Sequence, residues 1–161
     1  ARDSAARDGV TLRLAYRPPY DWSGMLVALS SRTACGQEWI EAGVWHPRLE
    51  LDGRHGHVSV AHLPDRNAVA VTIRFPSVRA LPAIVARVRR VFDLGADITT
   101  IDGHLARDPA LAPLIAKRPG LRAPGRWEMD DTDKPGDGTA PPAWRPWHAY
   151  AEQHLRMARH A

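Results

Sequence analysis

The chain has 161 residues, of which 44% are hydrophobic and 25% charged, and it carries a formal net charge of +4 at pH 7. This length and composition are typical of one folded domain, with at most a small appendage. The longest apolar run is far too short to cross a bilayer, and the single cysteine, Cys35, excludes an internal disulfide and a cysteine-cluster zinc site. We therefore expect a cytoplasmic protein with no membrane partner.

The chain opens with a predicted strand, a corner and a helix. Residues 1–9 have no apolar period and are predicted to form a loose lead-in. Apolar side chains alternate over residues 12–16, as in a strand with one buried face. Pro18 and Pro19 end this strand because they have no N–H group for the ladder. Asp21 then offers a side-chain oxygen to cap a helix over residues 22–33.

A meander of short strands follows. The predicted strands cover residues 39–45, 47–51, 57–62 and 68–75, with interruptions at Gly43 and Pro47. Between the second and third of them, Asp52-Gly53 is a strong hairpin signal. The sequence therefore predicts an antiparallel sheet of four or five strands.

A second helix is predicted over residues 77–94. Its apolar residues recur at three-and-four spacing, Ser77 is placed to cap it, and Pro82 falls in its first turn, where a missing N–H group costs little. Because strand and helix periods occupy separate segments, we expect an α+β fold in which both helices pack on one face of the sheet.

The remainder divides by composition. Residues 10–94 are predicted to form the α+β domain, and residues 95–126 to form short helices and a connector. Residues 127–142 are rich in Asp, Pro and Gly and are predicted to be an acidic, flexible linker. Residues 143–161 are predicted to carry a C-terminal helix.

The positive charge is concentrated in the middle of the chain. Residues 79–126 carry nine basic and four acidic side chains, whereas residues 1–78 carry nine and eight. A basic segment of this kind can neutralise the phosphates of duplex DNA, although a solvated helix face has the same composition. The candidate nucleic-acid contacts are Arg79, Arg87, Arg89, Arg90, Arg118, Arg122 and Arg126.

No other group of residues makes a convincing chemical site. Asp130, Asp131 and Asp133 lie in a polar run with nothing to desolvate them. A general base needs burial or a nearby charge to shift its pKa, so these residues are weak candidates. Cys35 has no neighbouring His to activate it. A metal site is conceivable at His55, His57 and His62, although strand histidines at this spacing are usually surface residues. The six tryptophans are either base-stacking platforms or, as their spacing favours for most of them, core residues. We therefore predict no catalytic residue, no metal and no cofactor.

Five strings of residues, in order, carry a family resemblance. The first reads Leu-Arg-Leu-Ala-Tyr-Arg-Pro-Pro-Tyr-Asp-Trp at residues 12–22, and the others occupy residues 51–56, 81–94, 118–125 and 144–155. Together they resemble the amino-terminal domain and terminal helix of the bacterial 3-methyladenine DNA glycosylase II family, within the helix-hairpin-helix glycosylases. The resemblance implies a sheet similar to one half of the TATA-binding protein. It also implies a role in base-excision repair, by hydrolysis of the N-glycosidic bond to alkylated purines.

The resemblance also implies what this chain lacks. In the family the catalytic domain stands between the last two strings, where here there are about twenty residues. The Leu-Pro-Gly-x-Gly hairpin and the catalytic aspartate that follows it in the family do not occur, and Arg156 stands where the family has a pocket tryptophan. We therefore expect a chain that is inactive alone and binds duplex DNA at most weakly and non-specifically, near the nucleoid if it does so. The alternative is a non-catalytic scaffold whose surface, left open by the missing domain, binds a protein partner.

Overall fold

The computed structural model describes residues 9–31, 38–125, 127 and 144–159. In this part of the chain one antiparallel sheet is formed by β1 Val10–Ala15, β2 Glu38–Glu41, β3 Val44–Leu51, β4 Arg54–Leu63 and β5 Ala68–Arg74. The strand order is β1-β5-β4-β3-β2. Strands β2 to β5 are thus consecutive neighbours, and β1 joins the free edge of β5.

The turns of the meander agree with the sequence, except at one proline. Asp52 and Gly53 both have positive φ, 53° and 72°, as a tight hairpin between twisted strands requires. The predicted interruption at Pro47 is wrong, because β3 runs through it. β3 pairs with β4 at Trp45 and again over Arg48–Leu51, so the strand continues past a residue that cannot donate to the ladder.

The helices follow the predicted order. They are α1 Trp22–Ser31, α2 Leu81–Val91, α3 Ile98–Leu105, α4 Ala112–Lys117 and α5 His148–Arg159, with 3₁₀ turns at Pro64–Arg66 and Val78–Ala80. None of the helices in the described ranges is both long and apolar enough to span a bilayer.

Only one of the two predicted caps forms. The N–H of Gly24 donates to Oδ1 of Asp21 at 3.1 Å, which confirms the cap of α1. Ser77 makes no capping bond, because the 3₁₀ turn Val78–Ala80 separates it from α2. Pro82 lies in the first turn of α2, as predicted.

The main core lies between the sheet and the first two helices. The sheet contributes Trp45, Leu49, Val58, Val60, Val69, Val71 and Ile73, all at most 1% exposed, and the helices contribute Met25, Leu29, Ile84, Val88 and Val91. Both helices therefore pack on the same face of one curved antiparallel sheet, which confirms the predicted α+β fold.

A second cluster joins the remaining helices. It contains Ile98, Ile101, Leu105, Leu111, Ile115 and Ala151, so α5 packs with α3 and α4 although residues 128–143 intervene in the sequence. Residues 1–8 of the predicted lead-in over residues 1–9, and all of the predicted acidic linker except Trp127, lie outside the described residues. The predicted domain boundaries stay predictions.

Candidate nucleic-acid interface

The arginines around α2 fall into two pairs. Arg79 and Arg89 are exposed, whereas Arg87 and Arg90 are half-buried. The Arg87 guanidinium carbon lies 5.5 Å from the ring centroid of Trp127, and Arg90 Nη2 donates to the Trp127 carbonyl oxygen at 3.4 Å. Arg87 and Arg90 therefore hold Trp127 against α2, and Arg79 and Arg89 present their charge to solvent.

Arg118 is partly neutralised by an ion pair. Its Nη1 lies 3.1 Å from Oδ2 of Asp21, the carboxylate whose other oxygen caps α1. The Arg118 side chain is 33% exposed and that of Asp21 is 13% exposed. A phosphate would have to compete with Asp21 for this guanidinium, so Arg118 is a weaker candidate contact than Arg79 or Arg89.

Arg122 is not a surface residue, and its prediction as a DNA contact is corrected. Its exposure is 0%. Nη1 donates to the Asp93 carbonyl oxygen at 2.6 Å, and Nη2 donates to the Arg17 carbonyl oxygen. The guanidinium also lies 4.6 Å from the ring centroid of Tyr20 and 5.6 Å from that of Tyr16. A charge enclosed in this way cannot reach a phosphate, and it joins the connector to the strand–helix corner instead.

Asp93 and Tyr150 extend this buried group to the C-terminal helix. The Tyr150 hydroxyl donates to Oδ2 of Asp93 at 2.5 Å. Burial raises the pKa of Asp93, and the hydrogen bond from Tyr150 and the charge of Arg122 oppose that rise. Burial and the bond to Asp93 raise the pKa of Tyr150. We call Arg122, Tyr16, Tyr20, Asp93 and Tyr150 the Arg122 node; it connects the sheet layer, the connector and α5.

The connector can approach the corner closely because it contains Gly120. This residue has φ of +81°, and an added Cβ would lie 2.5 Å from the Pro19 carbonyl group. The Gly120 N–H donates to Oδ2 of Asp102 at 3.0 Å. Burial raises the pKa of Asp102, an effect opposed by this hydrogen bond and by the charge of Arg122. Sequence reasoning missed the Arg122 node, since a Pro- and Gly-rich connector has no period that marks which of its side chains turn inward.

The other candidate residues from the sequence, the histidines, the cysteine and the aspartates, do not form a shared site in the described part of the chain. His62 packs inside, with Nε2 2.6 Å from the Tyr16 hydroxyl and its ring stacked on Trp22. Within the described ranges no three His, Cys, Asp or Glu side chains gather as metal ligands. Residues Cys35, Asp130, Asp131, Asp133 and Arg126 lie outside those ranges.

The tryptophans divide as the sequence indicated for most of them. Trp45 is fully buried, and Trp22, Trp127, Trp144 and Trp147 are half-buried against the two clusters. Trp39 is the exception, at 50% exposure on β2.

The α+β fold is shared with a DNA glycosylase of known structure. A 3-methyladenine DNA glycosylase from Archaeoglobus fulgidus aligns in three dimensions with a TM-score of 0.62 at 19% identity, over 74% of this chain and 40% of that one. Residues 11–128 match the family model described as the AlkA N-terminal domain. The chain belongs to the AlkA N-terminal domain family.

Two relatives extend the comparison. One is a probable bifunctional transcriptional activator/DNA repair enzyme AlkA of Mycobacterium tuberculosis, 33% identical over 121 residues, which are 75% of this chain and 24% of that protein. The other is DNA-3-methyladenine glycosylase 2 of Escherichia coli, 31% identical over 114 residues, which are 70% of this chain and 38% of that protein. The chain thus spans well under half the length of the relatives it matches.

Proposed function

We propose that this chain serves in the repair of alkylated DNA as an accessory domain of the 3-methyladenine glycosylase type, with duplex DNA as its partner. The observation that carries the proposal is the family match over residues 11–128. The relatives that share this domain are a DNA repair enzyme and a DNA-3-methyladenine glycosylase by name.

The proposed DNA contact is electrostatic and independent of sequence. Arg79 and Arg89 supply it, with Arg87 and Arg90 beside them and Arg118 after displacement from Asp21. Contacts of this kind give dissociation constants of about 10⁻⁴–10⁻⁶ M at physiological salt and weaken steeply as salt is added. Arg126, close behind in the sequence, adds a further positive charge.

We further propose that the 161 residues do not excise bases by themselves. Base excision needs a pocket for the flipped base and a residue that stabilises the departing sugar. The Leu-Pro-Gly-x-Gly string and its aspartate, which the family resemblance places in the catalytic domain, do not occur in the sequence.

The test is release of 3-methyladenine from methylated duplex by the purified chain, with the Escherichia coli relative as positive control. We expect release at the spontaneous rate. Because enzymes typically exceed background by about 10⁶-fold or more, even poor catalysis would be visible. Release that co-purifies with the chain and exceeds the no-protein rate would contradict the proposal of inactivity.

A second candidate function, a partner-binding module, is favoured by one groove. It lies between α1 and α5, with a volume of about 320 Å³, and its lining includes Val27, Ala28, Gln153, Arg156 and Met157. Val27 is 47% exposed. A protein segment with an apolar face would cover this side chain and the groove beside it.

Val27→Asp tests this candidate. If the groove is an interface, the change abolishes co-purification of a protein that wild type retains, and duplex binding is unaltered. Identical partner profiles for wild type and variant would contradict the module.

A further inference from the structure

The face of the sheet that points away from α1 and α2 is open. None of the described elements packs on it, and the side chains that the strand alternation directs there are exposed or half-buried, except the small side chain of Ala68. These residues include Thr11, Arg13, Trp39, Glu41, His46, Arg48, Glu50, His55, His57, Ser59, Ala61, Ala70, Thr72 and Arg74. We call this surface the open face.

Three planar rings form a continuous cluster at one side of the open face. Trp39 stacks on His46 with ring centroids 4.9 Å apart and an interplanar angle of 9°. His46 stacks in turn on His57, at 5.5 Å and 30°, and Trp39 also lies 5.8 Å from His57. Half of the Trp39 surface is left in solvent, so the outer ring of the cluster is available to a further planar group.

Arginines flank the ring cluster by strand register. Arg48 on β3 stands opposite His57 on β4, and His57 stands opposite Arg74 on β5. Directly opposed residues in an antiparallel sheet have Cβ atoms about 5 Å apart. The side chains of Arg48 and Arg74 are therefore long enough to bring their guanidinium groups to the edge of the His57 ring. Arg13 on β1 stands opposite Ala70 on β5 and adds a third positive charge toward the other edge of the sheet.

The acidic residues of the open face lie beside the ring cluster and the arginines, because Glu41 follows Trp39 by two positions and Glu50 follows Arg48 by two positions. Glu41 is the last residue of β2, and Glu50 stands opposite His55 near the β3–β4 hairpin. Burial and the neighbouring His57 lower the pKa of His46, and Glu41 opposes them.

We propose that the open face binds single-stranded nucleic acid, with a base stacked on Trp39 and the adjoining phosphates paired with Arg48 and Arg74. Exposed aromatic rings bordered by arginines are the combination that holds unpaired strands, because every base has a stacking face and every linkage has a charge. A duplex hides its base faces inside the helix, so it cannot use the ring cluster.

This site is separate from the proposed duplex contact. The arginines of α2 belong to the helix layer, on the opposite side of the sheet from Trp39. Substitutions on one surface should therefore leave the other unchanged, and the two proposals can fail independently.

The experiment is titration of a fluorescently labelled oligothymidylate of about 12 nucleotides, within the usual site sizes for single strands, and of a duplex of the same length, with the full chain at low salt. Trp39→Ala should weaken binding of the single-stranded oligonucleotide about 5- to 150-fold, the range for removal of one base–aromatic stack. Trp39→Phe, which keeps a ring, should recover most of that affinity. Arg89→Gln, on the helix layer, is the matched control and should alter duplex binding only.

A second readout keeps the test decisive if Trp39→Ala fails to fold. The double variant Arg48→Gln, Arg74→Gln should bind the single-stranded oligonucleotide more weakly. The slope of log affinity against log salt should fall by about 0.7 for each phosphate that is no longer neutralised. Photo-crosslinking of a bromodeoxyuridine strand to wild type should label the peptides of β2 and β4.

Three outcomes would overturn the proposal. One is no strand binding at low salt, which would leave the open face to a protein partner. Another is an affinity for the single-stranded oligonucleotide that Trp39→Ala does not change. The third is crosslinking confined to α2.

Discussion

Replacement of Arg122 by Met should lower the free energy of unfolding without removing a DNA contact. The side chain is 0% exposed and donates to the carbonyl oxygens of Asp93 and Arg17. Methionine roughly fills the volume but leaves both acceptors without the guanidinium, and hydrogen bonds to charged groups contribute about 1.5–3 kcal/mol each. Loss of these two bonds together should lower the free energy of unfolding by about 3–5 kcal/mol.

The assay is urea unfolding at pH 7, followed by tryptophan fluorescence and circular dichroism. For a chain of this length a decrease of that size should lower the melting temperature by about 10 °C. Arg122→Lys keeps the charge but not the planar guanidinium, so its free energy of unfolding should lie between those of wild type and Arg122→Met. Arg89→Met is the matched control, because an exposed arginine should change stability by less than about 0.5 kcal/mol. If the free energy of unfolding of Arg122→Met is within about 1 kcal/mol of the wild-type value, which is less than one charge-assisted hydrogen bond contributes, the Arg122 node does not stabilise the fold as we infer.

Three further predictions concern a cap, a buried histidine and the acidic run. Asp21→Ala removes the α1 cap and the ion pair to Arg118, so it should cost about 1–2 kcal/mol in urea unfolding, and a change below about 0.3 kcal/mol would contradict the cap. Both ring nitrogens of His154 are buried without a described partner, and burial lowers its pKa below 6.5, so the unfolded state binds its proton first and stability should fall as pH drops below about 6.5. His154→Leu should flatten this part of the stability–pH curve, and an unchanged curve would exclude His154 as its cause. Amide substitution of the five carboxylates in residues 128–137 should tighten duplex binding and steepen its salt dependence, and unchanged titrations would show that they do not compete with phosphate.

The layer architecture was predictable because its signals are local and repeated. The alternation over residues 12–16 indicated β1, Asp52-Gly53 indicated the hairpin, and the apolar stripe of the second helix indicated α2. Each signal involves several residues that agree with one another, so an error in one residue does not change the result. The cap at Asp21 could be predicted for the same reason, since it stands directly before a helical stripe.

The errors arose where a single residue had to be interpreted alone. Pro47 suggested a break, but the pairing on both sides of it keeps β3 continuous. Ser77 is a good capping residue, but a 3₁₀ turn takes up the residues between it and α2. Arg122 was predicted as a DNA contact because it lies in the basic segment, and only the tertiary structure brings its carbonyl partners around it.

The candidate interface was predictable only in part. The sequence indicated a basic helix, and the structure distinguishes the exposed Arg79 and Arg89 from Arg87 and Arg90, which hold Trp127. That distinction depends on Trp127, which is distant in sequence from α2, so no local pattern reveals it. The ring cluster around Trp39 is equally non-local, because β2, β3 and β4 each contribute one ring.

The proposed duplex contact is tested most directly by titration of an undamaged duplex across a range of salt concentrations, with wild type and with the double variant Arg79→Gln, Arg89→Gln. We predict weak binding whose logarithmic salt slope falls by about 2 in the double variant, because each arginine neutralises one phosphate, with no dependence on duplex sequence. An equal slope in the two proteins, or binding that is tight, insensitive to salt and selective for alkylated duplex, would contradict it.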